Sequence, residues 1–257
     1  MLLLDLHLFI TDSVKYAKRI QQALLQSEEH ISSNVPPHFI LFKPKDIVSG
    51  DFYWIKKVGT KSIFIGADST GHGVPGAFMS MLGIGFLNEV VAEGREVNSA
   101  KILNKLRSKI INALEQKGGT QQKDGMDMAL CKLNLKTRTL EYAGANNPLV
   151  HISEGKLSYI KGNSQPVGLS VIDNKPFTNH KIKLKKGDMI YVYSDGYQDQ
   201  FGGTKGKKYM VKKFKTFLTE ISNLPIEEQR VKIQEEFYDW KAKHEQVDDI
   251  LVIGVKI

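Results

Sequence analysis

A single cysteine, Cys131, serves the 257 residues of this chain. That scarcity excludes a disulfide framework and any metal site built on thiolates. Within the apolar run "MDMALCKLNL" the residue reads as a buried, unreactive thiol. Long hydrophobic runs are also missing: none reaches the roughly 18 to 20 residues that cross a bilayer. The opening "MLLLDLHLFI" is apolar but short, is interrupted by Asp5 and His7, and has no basic stretch ahead of its apolar residues. It makes a poor signal peptide and reads as a short strand or the tail of an upstream element. The expectation is a cytoplasmic chain with no membrane segment. No internal repeat is evident. With 41% apolar and 25% charged residues the composition is that of a globular protein large enough to bury a core.

The formal net charge of +8 suggests an acidic or phosphorylated partner. Much of it lies in "KIKLKKGD" (181–188) and "TKGKKYMVKKFK" (204–215). The first alternates, which puts its lysines on the wet face of a strand. In the second, Tyr209, Phe214 and Phe217 could stack nucleic-acid bases, but Met210, Phe214 and Phe217 at helical spacing make an ordinary buried stripe. No nucleic-acid motif accompanies the charge, so no nucleic-acid partner is expected.

Residues 11–33 read as one amphipathic helix, with Thr11, Asp12 and Ser13 as capping candidates and Pro36–Pro37 ending the segment. Val14, Ala17, Gln21, Leu24 and Ile31 fit a seven-residue pattern in which Glu28 is the weak link. Such a helix either packs on the domain or makes a dimerising linker. A break near 34–37 separates an N-terminal segment, 1–35, from a domain, 36–257. Strand-like runs follow at 38–43, 51–58 and 62–67, then helices at about 75–93 and 98–117. A long β region comes next, then helices at about 206–220 and 225–243, then the strand "DILVIGVKI". Helices arrive in pairs instead of alternating with strands, which argues for α+β layers and against a doubly wound sheet.

Four aspartates stand where an apolar strand meets a turn. Asp51 follows Gly50, Asp68 ends "SIFIGAD", Asp195 precedes Gly196, and Asp248 opens the last strand. Past Asp68 the stretch "STGHGVPGAF" is crowded with glycine, and Pro75 suits a helix's first turn. Asp-Gly pairs make turns on their own. Four carboxylates gathered at strand ends repel one another, however, and call for something positive. All-oxygen ligands select hard cations, Mg²⁺ or Mn²⁺, and two such ions could hold a phosphate.

The ordered motifs "SGDFYW", "ADSTGHGVPGAFMSM", "YVYSDGYQD" and "VDDILVIGV", with "GLS" after "NSQPV", resemble the SpoIIE-type serine phosphatases. These are the bacterial branch of the metal-dependent PPM (type 2C) protein phosphatases. The resemblance covers about residues 36–257. It implies an α-β-β-α sandwich of mostly antiparallel sheets, here preceded by the N-terminal linker helix. It also implies two Mn²⁺ or Mg²⁺ ions: Asp68 bridging them with help from the Ser69 carbonyl, Asp195 and Asp248 on one ion, and Asp51 completing the site. The implied activity is hydrolysis of phosphoserine or phosphothreonine on a protein partner, such as an anti-sigma-factor antagonist, by metal-activated water without a phosphoenzyme.

The chain departs from the family pattern at Ser49, Asp199, Leu251 and Asn146, and His72 resembles the general acid of eukaryotic relatives or serves as a cap. A catalytically weak binding or signalling module is the alternative function. Small residues Gly76, Ala77, Ser80, Gly83 and Gly85 soften the helix after Asp68. In relatives a preceding helix is thought to press on such an element. The expectation here is a weak homodimer through residues 12–33, with Val14, Ala17 and Leu24 at the seam and low basal activity that rises when the helix is aligned.

Overall fold

The structure, a computed structural model, describes residues 2–93, 98–116, 124–170 and 175–257. It opens with helices α1 (Leu2–Leu24) and α2 (Glu28–Ser32). Residues 2–10 are therefore helix, not a short strand. Thr11, Asp12 and Ser13 lie inside α1 and cap nothing: Ser13 donates back to the Phe9 carbonyl (3.0 Å) and Asp12 pairs with Lys15 (3.2 Å). The expected single helix over 11–33 is broken. Ser27 is extended (φ −68°, ψ 152°) and its hydroxyl caps the His30 N–H, while Glu28 and Glu29 complement the new helix's positive end.

Strands β1 (His38–Lys43), β2 (Phe52–Val58) and β3 (Lys61–Ser69) follow, then helices α3 (Gly73–Glu93) and α4 (Ser99–Ala113). Asn98 caps α4 by accepting the Lys101 N–H; the expected last helical residue, 117, lies outside the described residues. Next come β4 (Gly125–Asn134), β5 (Thr139–Ala145), β6 (Leu149–Ser153), β7 (Lys156–Ile160), β8 (Val167–Gly168), β9 (His180–Lys183) and β10 (Met189–Tyr193). The chain ends through α5 (Gly196–Asp199), a hairpin of β11 (Phe201–Gly202) and β12 (Lys207–Lys208), α6 (Val211–Ile221), α7 (Ile226–Lys241) and β13 (Ile250–Lys256). Residues 206–210, expected as helix, instead finish the hairpin. Met210 has φ +77° and is exposed, so it is no part of a buried stripe. Tyr209 and Phe214 are buried and cannot stack on bases.

Two sheets form. One runs β1-β13-β10-β6-β7 and the other β2-β3-β4-β5-β9 with β8 on β4, every named pair antiparallel. Their inner faces meet through Ile55, Phe64, Cys131, Tyr142, Ile190, Val192 and Ile253. Outside the second sheet, Leu87, Val90, Leu103 and Leu106 of α3 and α4 cover Phe52, Trp54 and Ile65. Outside the first, Phe214, Leu218 and Phe237 of α6 and α7 cover Phe39, Tyr191 and Tyr193. Alternating side chains give each strand one face for each layer, and the result is an α-β-β-α sandwich.

Helix α3 is long and apolar enough to cross a membrane, with a mean hydropathy of 1.4 over Gly73–Ala92. Half of that segment is buried against the sandwich, so its apolarity serves the core.

Candidate metal centre

Asp51 enters the fold just before β2, Asp68 is the penultimate residue of β3, Asp195 occupies the N-cap position of α5 without a side-chain capping bond, and Asp248 precedes β13. Antiparallel pairing joins these elements. Phe52 pairs with Ala67, and Tyr193 pairs with Val252, which brings the ends that carry the aspartates to one edge of the sandwich. The four carboxylates share one electrostatic field. Asp51 is 2% exposed; desolvation raises its pKa well above the usual carboxylate range, and Asp249, Asp248 and Asp195 raise it further. Asp68 is pushed up to about 10, first by desolvation and then by Asp51, Asp195, Asp248 and Asp127. Asp195, at the exposed rim, rises to about 6 through desolvation and the charges of Asp248, Asp199 and Asp127, with Lys208 pulling the other way.

Backbone close approach holds these residues. A Cβ on Gly50 would stand 2.6 Å from the Gly71 carbonyl oxygen, and one on Gly76 would stand 2.1 Å from the same atom. The glycine-rich turn after Asp68 thus packs directly on the Gly50–Asp51 peptide, and nothing larger fits. Ser69 is buried and its N–H donates to the Gly50 carbonyl (3.3 Å).

Several members of the site were not read from the sequence. Asp249 is buried and takes two backbone N–H groups, Lys45 at 2.7 Å and Gly50 at 2.8 Å. Ser194 donates to Asp51 and accepts from the Leu251 N–H (3.0 Å). Asp127 stands directly across from Asp68 in the β3–β4 register, and desolvation raises its pKa. Asn146, left-handed at φ +55°, donates to Asp127 at 2.7 Å. The adjacent "DD" and "SDG" were visible signals for Asp249 and Ser194, whereas Asp127 enters only through strand register. His72 is held by Asp46 (2.8 Å) on the exposed loop, and Cys131 is wholly buried between the sheets with its thiol pushed up by desolvation.

Among the described residues no three Asp, Glu, His or Cys side chains close on one point as a finished ligand set. The donor chemistry nevertheless fits a hard cation. The side chains are all oxygen donors, buried at Asp51 and more exposed toward Asp195, and a bound divalent ion would offset their mutual repulsion.

The sequence profile of the SpoIIE family (Stage II sporulation protein E) matches residues 59–257. The chain belongs to the SpoIIE family. No curated protein sequence matches significantly. Among solved structures this SpoIIE-family chain is similar to the SiaA-PP2C domain of Pseudomonas aeruginosa, at 28% identity and a TM-score of 0.88 over 98% of each chain. It also resembles the PP2C phosphatase domain, with a regulatory-domain fragment, of SpoIIE from Bacillus subtilis. That match has 18% identity and a TM-score of 0.68, covering 86% of this chain and 62% of the other. A third is the PPM Ser-Thr phosphatase MsPP from Mycobacterium smegmatis, at 11% identity and a TM-score of 0.60 over 87% and 99%. The last two bear on fold alone, and that fold is the PPM one. The SpoIIE-family chain is a protein serine/threonine phosphatase of the PPM type.

Proposed function

We propose that this phosphatase is metal-dependent and hydrolyses phosphoserine or phosphothreonine on a protein partner, with small anti-sigma-factor antagonists as the partner class that the family resemblance suggests. The observation that carries the reading is the carboxylate cluster around Asp51, which is buried among like charges and, among the described residues, is hydrogen-bonded by a hydroxyl instead of paired with a cation.

Asp51, Asp68, Asp195 and Asp248, with the Ser69 carbonyl, would hold two Mn²⁺ or Mg²⁺ ions. Such ions supply Lewis acidity and make water nucleophilic at neutral pH. The chain's own residues do the positioning. Ser194 orients Asp51, Asp249 fixes the Gly50 peptide that precedes it, and Asn146 steadies Asp127 opposite Asp68. No nucleophilic side chain is needed, and Cys131 is enclosed away from solvent.

The N-terminal segment, 1–35, we assign to regulation of the domain at 36–257, and we place a homodimer contact on α1. Val14 and Ala17 are half-buried toward the domain, so the seam would pass through Tyr16, Ile20 and Leu24, all exposed. We expect the protein in the cytoplasm, a compartment that suits its single reduced thiol.

The test is Mn²⁺-dependent release of phosphate from p-nitrophenyl phosphate and from phosphoserine peptides, with Asp68→Asn beside the parent. Activity should fall by orders of magnitude in the variant while the circular dichroism spectrum is kept. Turnover that ignores Mn²⁺ would sink the reading and favour a binding module.

A further inference from the structure

The stretch 204–215 carries six lysines and no acid; Lys212 is exposed on α6 away from the hairpin, and the fold sorts the other five into two groups. Lys213 pairs with Glu236 (2.9 Å) and lies over the Trp240 ring, and Lys215 lies over Tyr159. Lys208 pairs with Asp199 at 2.9 Å. Lys205 and Lys207, at the turn of the β11–β12 hairpin, are exposed and have no carboxylate partner among the described residues.

This hairpin stands beside the metal centre. It leaves α5, whose N-cap position Asp195 occupies, and the Asp199 N–H bonds the Asp195 carbonyl (3.0 Å). The return strand is tied to the same segment: Tyr209 N–H donates to the Gln200 carbonyl (2.9 Å) and Met210 N–H to the Gln198 carbonyl (2.8 Å). Its base is rigid. Gly203 N–H donates to the Trp240 carbonyl (2.8 Å), the Trp240 indole donates to Gln200 (3.0 Å), and a Cβ on Gly202 would fall 1.9 Å from the Trp240 oxygen. Its tip turns through Gly203 and Gly206, both at positive φ. A pair of free ammonium groups is thus held on a fixed stem at the rim of a carboxylate-rich centre.

We propose that the β11–β12 hairpin is a substrate-docking lip, whose Lys205 and Lys207 engage acidic residues flanking the phosphorylated serine or threonine of the protein partner. The proposal rests on the phosphatase reading for the identity of the bound segment. Charge complementarity names the occupant: two exposed lysines without a carboxylate partner among the described residues, on a chain of net charge +8, favour a segment that carries Asp and Glu.

Two fluorescent phosphoserine peptides of equal length, one with Glu and one with Gln on both flanks, separate the possibilities. Their binding to the full chain is followed by anisotropy, and phosphate release is measured in parallel with Mn²⁺. Lys205→Glu with Lys207→Glu should weaken binding of the Glu-flanked peptide by about tenfold or more. The Gln-flanked peptide and p-nitrophenyl phosphate turnover should be unchanged. The difference should fade as added salt shortens the screening length to about 3 Å near 1 M. Equal loss for both peptides, or no loss for either, overturns the docking lip. So does preferential, lysine-dependent binding to phosphatidylserine vesicles or poly(U) RNA. Lysine-dependent selection of the acidic peptide without Mn²⁺-dependent phosphate release would keep the lip and overturn the hydrolytic reading instead.

Discussion

The Ser194 hydroxyl meets the Asp51 carboxylate at 2.5 Å, and the same hydroxyl accepts the Leu251 N–H at 3.0 Å. One small side chain on the turn after β10 thereby orients the most deeply buried carboxylate of the centre and ties it to β13. Ser194→Ala should leave both partners without that hydrogen bond, at a cost of about 1–3 kcal/mol for buried groups. Mn²⁺ should then bind about tenfold more weakly, and a calorimetric metal titration beside a thermal melt will check both.

Adjacent aspartates should behave differently. Asp248→Asn should abolish Mn²⁺ stimulation while barely moving the melting temperature. Asp249→Asn puts an amide where two backbone N–H groups need acceptors, so it should lower stability by about 1–3 kcal/mol even with no metal added. Urea denaturation of metal-free protein separates the two.

Asp188 offers a pH test far from the centre. Burial raises its carboxyl, but the Lys185 N–H, Ser153 and His151 together outweigh that and hold it below the usual range. Its Oδ2 lies 2.8 Å from the ring Nε2 of buried His151. A depressed carboxylate contributes stability above its unfolded value, near pH 4, and loses it as pH falls through the lower folded value. Asp188→Asn should therefore reduce stability at pH 7 and flatten the acid limb of the stability curve below about pH 4. Urea midpoints from pH 2 to 7 will check it.

The stripe Tyr16, Ile20 and Leu24 lies one side of α1, and Phe78 of α3 is 64% exposed. Ile20→Asp should shift sedimentation toward monomer without changing the helix content. A parent chain that is monomeric at high micromolar concentration would remove the dimer contact.

Much of the architecture was legible because apolar alternation and glycine turns are local signals. The strands from 38 to 67, the paired helices and the final strand all announce themselves that way. The end of Asp68's strand was readable for the same reason. Errors fell where local preference was overridden. Residues 2–10 have the short alternation of a strand but continue the helix of 11–24. Ser27 starts a new helix inside an apparently continuous one, and Met210 adopts a left-handed turn that its side chain disfavours. Helix α3, expected at about 75–93, is apolar nearly all round. At the site, Asp127 joins only through the pairing of β3 with β4, which no window of sequence displays. Asp249 was visible as a letter but not as an acceptor, because its donors, Lys45 and Gly50, lie about two hundred positions away.

Gln21 is the polar residue in the otherwise apolar pattern of α1. Its amide oxygen accepts the Ser49 N–H (3.1 Å), and its amide nitrogen donates to the Ser49 carbonyl (2.6 Å) and to Ser80 (2.8 Å). A slide of α1 by one helical turn, about 5.4 Å, would present Ala17 or Leu25 at that point. Neither can satisfy a peptide group, so intermediate positions would leave the amide of Ser49 bare two residues before Asp51. Intermediate positions are thus disfavoured, and α1 is held at one register beside the centre by three hydrogen bonds to one glutamine.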